Sequence, residues 1–207
     1  MARNLSPKCK ICRRAGQKLF LKGERCLTSK CPMLRKPYPP GAHQRHQKLT
    51  EYGKQLMEKQ KAKRTYGILE KQFRIYVKRA VAKKGDNREN LFRILERRLD
   101  NVIFQCGIAS SRDMARQIVK HQHLLVNGRR VDIPSFRVKK GDQISFNDKF
   151  RKTAFFDKNK SLFGKKTVPG WISFDPEKLE IKIIDSPLFE EVDLLESLGT
   201  VIDFYSR

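Results

Sequence analysis

The chain has no apolar run approaching the ~20 residues that a membrane-spanning helix needs; its hydrophobic stretches are only a handful of residues long. Met1 to Asn4 lead into no apolar stretch and no small-residue cleavage site, so no secretory signal is expected. Acidic side chains are scarce: 22 Asp and Glu stand against 46 Lys and Arg in 207 residues, a net charge of +24. Such an imbalance opposes compaction by self-repulsion, and its simplest purpose is to neutralise a polyanion. Hydrophobic residues, at 39%, suffice for a core and exclude a wholly disordered basic tail. The expected compartment is the reducing cytoplasm, where five cysteines are free thiols or metal ligands in preference to disulfides.

The shortage of acid is uneven. Residues 1–85 carry 24 basic and 4 acidic side chains, residues 86–156 carry 15 and 8, and residues 157–207 carry 7 and 10. Contact with a polyanion is therefore expected over residues 1–156, and the acidic residues 157–207 suit a surface that faces protein.

Residues 1–45 are rich in Cys, Gly, Pro, Lys and Arg and show almost no apolar periodicity, so this arm is not expected to fold by burying a core. Leu49, Tyr52, Leu56 and Met57 then share one helical face, with Gly67 as a break. Phe73, Tyr76, Val77, Ala80 and Val81 repeat the spacing, and Lys83, Lys84 and Gly85 mark a stop. Residues 46–90 thus read as a helical domain, completed by residues 187–207. Asp86 and Glu89 resemble a capping pair for a third helix, which buries Leu91, Phe92, Leu95, Leu99, Val102 and Ile103 and stops near Gly107. Ser110 or Ser111 caps a fourth. Leu124, Leu125 and Val126 enter a hairpin through Asn127-Gly128, and Arg129, Arg130, Val131 and Ile133 return. Further strands are expected at 144–146, 171–174 and 179–184. Residues 91–186 form an α+β domain on this reading, and the fold class is α+β.

Cys9, Cys12, Cys26 and Cys31 are spaced Cys-x2-Cys-x13-Cys-x4-Cys. Two close pairs, each offered from a tight turn, would together close a tetrahedral structural zinc site in which the metal replaces a core. Four thiolates also suit an iron–sulfur cluster, and spacing does not select between them. A catalytic zinc is disfavoured, because four thiolates leave no open position. Lys8, Lys10, Arg13, Arg14, Arg25 and Lys30 are expected to depress the thiol pKa values. His43 and His46 lie close by, but the ligand set is complete without them. Cys106, between Phe104 and Ile108, reads as a buried apolar residue.

On the fourth helix Met114, Ala115, Ile118 and Val119 make the inward side, while Arg112, Arg116 and Lys120 recur every four residues as an outward cationic stripe. The helix N-terminus favours a phosphate. His121, Gln122 and His123 lead into the hairpin, whose tip displays Arg129 and Arg130. Together these make one basic surface suited to phosphates and ribose hydroxyls.

The segments Arg98-Leu99-Asp100-Asn101-Val102, Ala109-Ser110-Ser111-Arg112, Ala115-Arg116-Gln117 and Val126-Asn127-Gly128-Arg129-Arg130-Val131-Asp132-Ile133-Pro134 resemble the S-four RNA-binding module. That module packs helices on a small, mainly antiparallel sheet, here at about residues 97–157. Gly23-Glu24-Arg25-Cys26, Tyr38-Pro39-Pro40-Gly41, Glu58-Lys59-Gln60-Lys61, Tyr66-Gly67-Ile68 and Phe204-Tyr205-Ser206-Arg207 extend the likeness, over essentially the full length, to the small-subunit ribosomal protein family of that name, in its four-cysteine form. The resemblance implies a cytoplasmic, ribosome-bound structural protein and no enzyme. It implies a protein that binds small-subunit ribosomal RNA, nucleates assembly of its 5′ domain, and adjoins protein S-five and the messenger RNA entry channel, with effects on accuracy. It also implies zinc, or in some members an iron–sulfur cluster. Carried over by position, the RNA-facing residues are Arg98, Ser111, Arg112, Arg116, Lys120, Asn127, Arg129 and Arg130. Gln122 departs from the family pattern, which has Gly there; if the position needs positive φ, Gln is strained. Two rival readings are an RNA-modifying enzyme with the same module and a non-ribosomal RNA-binding factor. The first needs a catalytic domain, yet Asp175, Glu177, Asp185, Glu190 and Glu191 show no acid/base pairing. The second would lack the cysteine arm and the Tyr-Pro-Pro-Gly element.

Overall fold

A computed structural model describes residues 5–42, 48–160, 163–164, 166–188 and 195–206; His43 and His46 lie outside them. The chain divides into one unit of residues 1–91 with 192–207 and another of residues 92–191.

In the first unit, α1 (Lys8–Ala15) ends at Gly16, whose φ of 66° provides the left-handed cap. A 3-10 turn (Gly23–Cys26) and the short α2 (Pro32–Arg35), with proline in its first turn, follow. The arm does hold a small apolar cluster: Ile11, Cys12, Ala15 and Leu19 are buried together, with Leu21 and Met33 against them. The sequence spacing hides it because α1 contributes only Ile11, Cys12 and Ala15, and the rest comes from loop residues Leu19 and Leu21 and from Met33 on α2.

The Thr50 hydroxyl accepts the Gly53 N–H at 3.2 Å and so caps α3 (Glu51–Thr65). Its buried positions are Lys59 and Ala62, whereas Leu49 precedes the helix and Tyr52 is exposed. The expected Leu49-Tyr52-Leu56-Met57 face is therefore displaced. The reason is the last helix (Leu195–Ser206), which packs on α3 and sets Phe204 against Tyr52, centroids 5.5 Å apart. The Lys59 stem is covered while its ammonium lies over the Phe204 ring at 4.6 Å. Next, α4 (Glu70–Val81) buries Phe73, Tyr76, Val77 and Ala80 but leaves Val81 exposed. After Gly85 (φ 103°), the Asp86 carboxylate accepts the Arg88 N–H at 2.8 Å and opens α5 (Asn87–Glu96). Buried Asn90 donates to the Ala80, Lys83 and Lys84 carbonyls and ties the end of α4 to this turn.

The single helix expected from 88 to 107 is broken: α6 (Leu99–Gln105) starts anew after Arg98, which is extended at φ −75°, ψ 136°. The break lets the backbone pair with a distant segment. Leu99 and Asp100 donate N–H bonds to the Phe136 and Pro134 carbonyls, and Val138 donates to Arg97. Apolar spacing runs unbroken through this point, so periodicity alone cannot detect it.

After α7 (Arg112–Lys120) come β1 (Leu124–Val126), β2 (Arg129–Arg130), β3 (Gln143–Phe146), α8 (Asp148–Arg151), α9 (Ala154–Asn159), β4 (Ile172–Asp175) and β5 (Glu180–Ile183). The strands form one antiparallel sheet in the order β2-β1-β3-β5-β4. Val126 pairs with Arg129 around Asn127 and Gly128, both at positive φ, as a primed two-residue turn requires. Leu99, Val102, Ile103, Ala115, Val119, Leu124, Ile144 and Ile181 lie in the core between α6, α7 and the sheet. In the first unit, α10 (Leu195–Ser206) contributes buried Leu198, Val201 and Ile202. No helix of the described residues is long and apolar enough to cross a membrane.

Candidate nucleic-acid interface

Ser111 caps α7: its hydroxyl accepts the Met114 N–H at 3.3 Å. Ala115, Ile118 and Val119 are buried and Met114 packs against the same core, which fixes the roll of the helix. With that roll, the cationic stripe does not survive intact. Lys120 is exposed and Arg112 partly so, but Arg116 is only 9% exposed. Its guanidinium donates to Asp100 Oδ2 at 3.2 Å from Nε and 2.9 Å from Nη2. Arg98, 4% exposed, grips the same carboxylate, with Nε 3.0 Å from Oδ1 and Nη2 2.7 Å from Oδ2. Asp100, 2% exposed, thus neutralises one of two buried guanidiniums. The outward stripe is thus corrected at Arg116, and Arg98, expected to face RNA, is likewise buried on Asp100: α6 packs on α7 and brings Asp100 beside a position sixteen residues on, a pairing no local spacing reveals.

Arg112 is held rather than free-swinging. Its Nε donates to Asn101 Oδ1 at 2.8 Å and its guanidinium lies 4.4 Å from the Phe104 centroid. The Lys166 ammonium lies over the same ring at 4.0 Å. Lys166 was absent from the sequence-based candidates, and its position 62 residues along the chain from Phe104 carries no local signal.

At the hairpin, Arg129 and Arg130 are exposed. The Asn127 amide works inward: it donates to Asp142 at 2.9 Å and accepts the Gln143 N–H at 2.9 Å, locking the turn against β3. Ile133 returns as an exposed residue outside β2. Gln122, between α7 and β1, has a φ of 59°, so the position does require the conformation glycine tolerates best. Its carbonyl accepts the Asn147 amide at 2.7 Å. The flanking His121 and His123 rings stack 5.9 Å apart, and burial, then the His121 charge, push His123 down.

In the arm, Cys12, Cys26 and Cys31 are buried and Cys9 is partly exposed, and none of the four is in a disulfide. Cys26 Sγ accepts the Lys22 N–H at 3.4 Å. Burial raises the Cys12 thiol, a backbone hydrogen bond at Leu19 counters it, and Cys26, Cys9 and Cys31 each raise it further. The expected depression by neighbouring cations is thus reversed at Cys12. All four sulfurs share one electrostatic neighbourhood, although no group of three or more His, Cys, Asp or Glu side chains poised to hold a metal exists among the described residues. Arg13 clips the Tyr-Pro-Pro-Gly element to α1, lying 4.8 Å over the Tyr38 ring and donating to the Tyr38 carbonyl at 2.9 Å.

A further polar cluster was not foreseen. Glu70 binds Lys59 at 2.9 Å, Lys63 at 2.6 Å and the Tyr205 hydroxyl, tying α3, α4 and α10 together. Burial alone would raise its carboxyl, but the bonds from Lys63, Tyr205 and Lys59 hold it at about 2.

A family model described as "Ribosomal protein S4/S9 N-terminal domain" matches residues 3–96, and one described as "S4 domain" matches residues 97–144. These matches define a protein built of those two domains. Among its relatives, chains from Acetivibrio thermocellus (49% identical over 208 residues), Halothermothrix orenii (50% over 208) and Thermotoga petrophila (50% over 209) are each named "Small ribosomal subunit protein uS4", and each alignment covers 100% of both chains. The chain belongs to the uS4 family.

Proposed function

We infer that the protein is a structural, RNA-binding constituent of the small ribosomal subunit in the cytoplasm and not an enzyme. One observation carries this: about half of all residues are identical to uS4 chains from end to end. The exposed Lys120, Arg129 and Arg130, together with Arg112, are its proposed ribosomal-RNA contacts, and Asn127 holds the turn that presents the two hairpin arginines. Ser111, Arg98 and Arg116 act from beneath, by capping α7 and fixing it to α6. The further assignments are nucleation of the 5′ domain and, with protein S-five beside the messenger RNA entry channel, an effect on accuracy. The acidic balance of residues 157–207 supports a protein neighbour there.

The four cysteines are the proposed ligands of a structural zinc; an iron–sulfur cluster is the alternative. Support comes from the shared neighbourhood of the thiols and from the smallness of the apolar cluster around Cys12, which leaves the arm in need of a cross-link. Purified protein should contain one zinc per chain without visible absorption, and a chelator should loosen the arm. A visible charge-transfer band with bound iron would assign the cluster instead.

Footprinting on protein-free small-subunit ribosomal RNA tests the main reading. Protection within the 5′ domain is expected, whereas selective protection of an unrelated small RNA would reject it. Affinity should also fall steeply with salt, because many phosphates are neutralised.

A further inference from the structure

Phe104, near the end of α6, carries two cations on one ring: Arg112 at 4.4 Å and Lys166 at 4.0 Å from the centroid. Each is separately positioned. Arg112 donates to Asn101 at 2.8 Å, and the Lys166 ammonium donates to the Phe104 carbonyl at 3.0 Å. The Lys166 stem approaches through a gap kept open by Gly107, where an added Cβ would come within 2.9 Å of Lys166 Cβ and where φ is +74°.

Two like charges gathered this way repel each other. Burial and the Arg112 charge both push the Lys166 ammonium down. Cys106 and then Glu96 oppose that push, and Glu96 is itself buried and accepts hydrogen bonds from Asn101 and Gln105. The burial is confined to the ammonium, which lies on the Phe104 ring and carbonyl; Lys166 as a whole residue is exposed. The ring quadrupole offsets part of the repulsion, and an anion bridging both cations would offset the rest through charge-assisted hydrogen bonds.

We propose that Arg112 and Lys166, aligned on Phe104, form a two-cation clamp for one backbone phosphate of the RNA. The clamp rests on the RNA-binding reading above, and it extends the interface beyond the residues matched by the S4 domain, 97–144.

The test is titration of the full chain against protein-free small-subunit ribosomal RNA at a series of salt concentrations. Lys166→Met keeps the stem on the ring but removes the charge; it should weaken binding and lower the salt slope by up to about 1, and Lys166→Arg should restore it. Arg112→Gln should act alike, and the double variant should also lose only about 1, because one phosphate is lost. Unchanged melting of Lys166→Met separates this from a packing role. Wild-type affinity for Lys166→Met overturns the clamp, and a loss of about 2 in the double variant overturns the sharing of one phosphate. If the unmodified protein itself shows no salt-dependent binding to this RNA, the RNA-binding reading falls and the clamp with it.

Discussion

Replacing Asp100 by Asn tests whether the Arg98–Asp100–Arg116 triad is a structural core or a ligand-facing set. The substitution keeps the shape but removes the one negative charge among three side chains that are 4%, 2% and 9% exposed. Four hydrogen bonds of 2.7 to 3.2 Å from two guanidiniums converge on that carboxylate. Breaking one buried pair by removing a partner costs about 3–5 kcal/mol, and here two buried guanidiniums lose their bonds to the carboxylate. A loss of about 4 kcal/mol or more is expected for the second unit. At roughly 4–8 °C per kcal/mol for a domain of about 100 residues, melting should fall by about 15 °C or more. Arg116→Met should be much milder, because it leaves Arg98 and Asp100 as a neutral pair. Circular-dichroism melts and urea titrations measure both. If Asp100→Asn stays within about 1 kcal/mol of the unmodified protein, the triad is solvated and the reasoning fails.

Gln122→Gly should stabilise by about 1 kcal/mol, because at φ 59° a side chain costs about that much and glycine does not; a lower urea midpoint would show that the Gln side chain matters more. Glu70, held at about 2 against an ordinary 4.5, binds its proton more weakly when folded than when unfolded. Its contribution is therefore complete above pH ~4.5 and lost as pH falls towards ~2. The full shift would be worth about 3 kcal/mol, but the side chain is 45% exposed, and screening reduces this to about 1–2 kcal/mol. Glu70→Gln should flatten that part of the pH–stability curve, and an unchanged acid limb would count against the cluster. Ser111→Ala should cost about 1 kcal/mol through the lost cap, measurable in the same titrations.

Much of the molecule is legible along the chain because the forces involved are local. The Asn127-Gly128 turn, the Ser111 cap, the Gly85 stop and the Asp86 start are each decided within four residues by backbone conformation and nearest hydrogen bonds. The charge gradient and the cysteine spacing belong to the sequence in the same way. The need for positive φ at Gln122 (φ 59°) is legible only through the family pattern, which has Gly there, and not from the residue itself.

Tertiary structure alone decided the identity of the working cations. A guanidinium at a helical surface position and one beneath it have the same spacing, so nothing in Arg112-x3-Arg116-x3-Lys120 shows that Asp100 takes the middle one inward. Likewise, α5 and α6 divide where the backbone pairs with residues 134–138, and α3 turns Lys59 inward because the last helix supplies Phe204 and Tyr205. Lys166 meets Phe104 only through chain folding over 62 residues. Charge and periodicity are properties of neighbours in sequence, whereas burial and pairing are set by what the rest of the chain brings alongside.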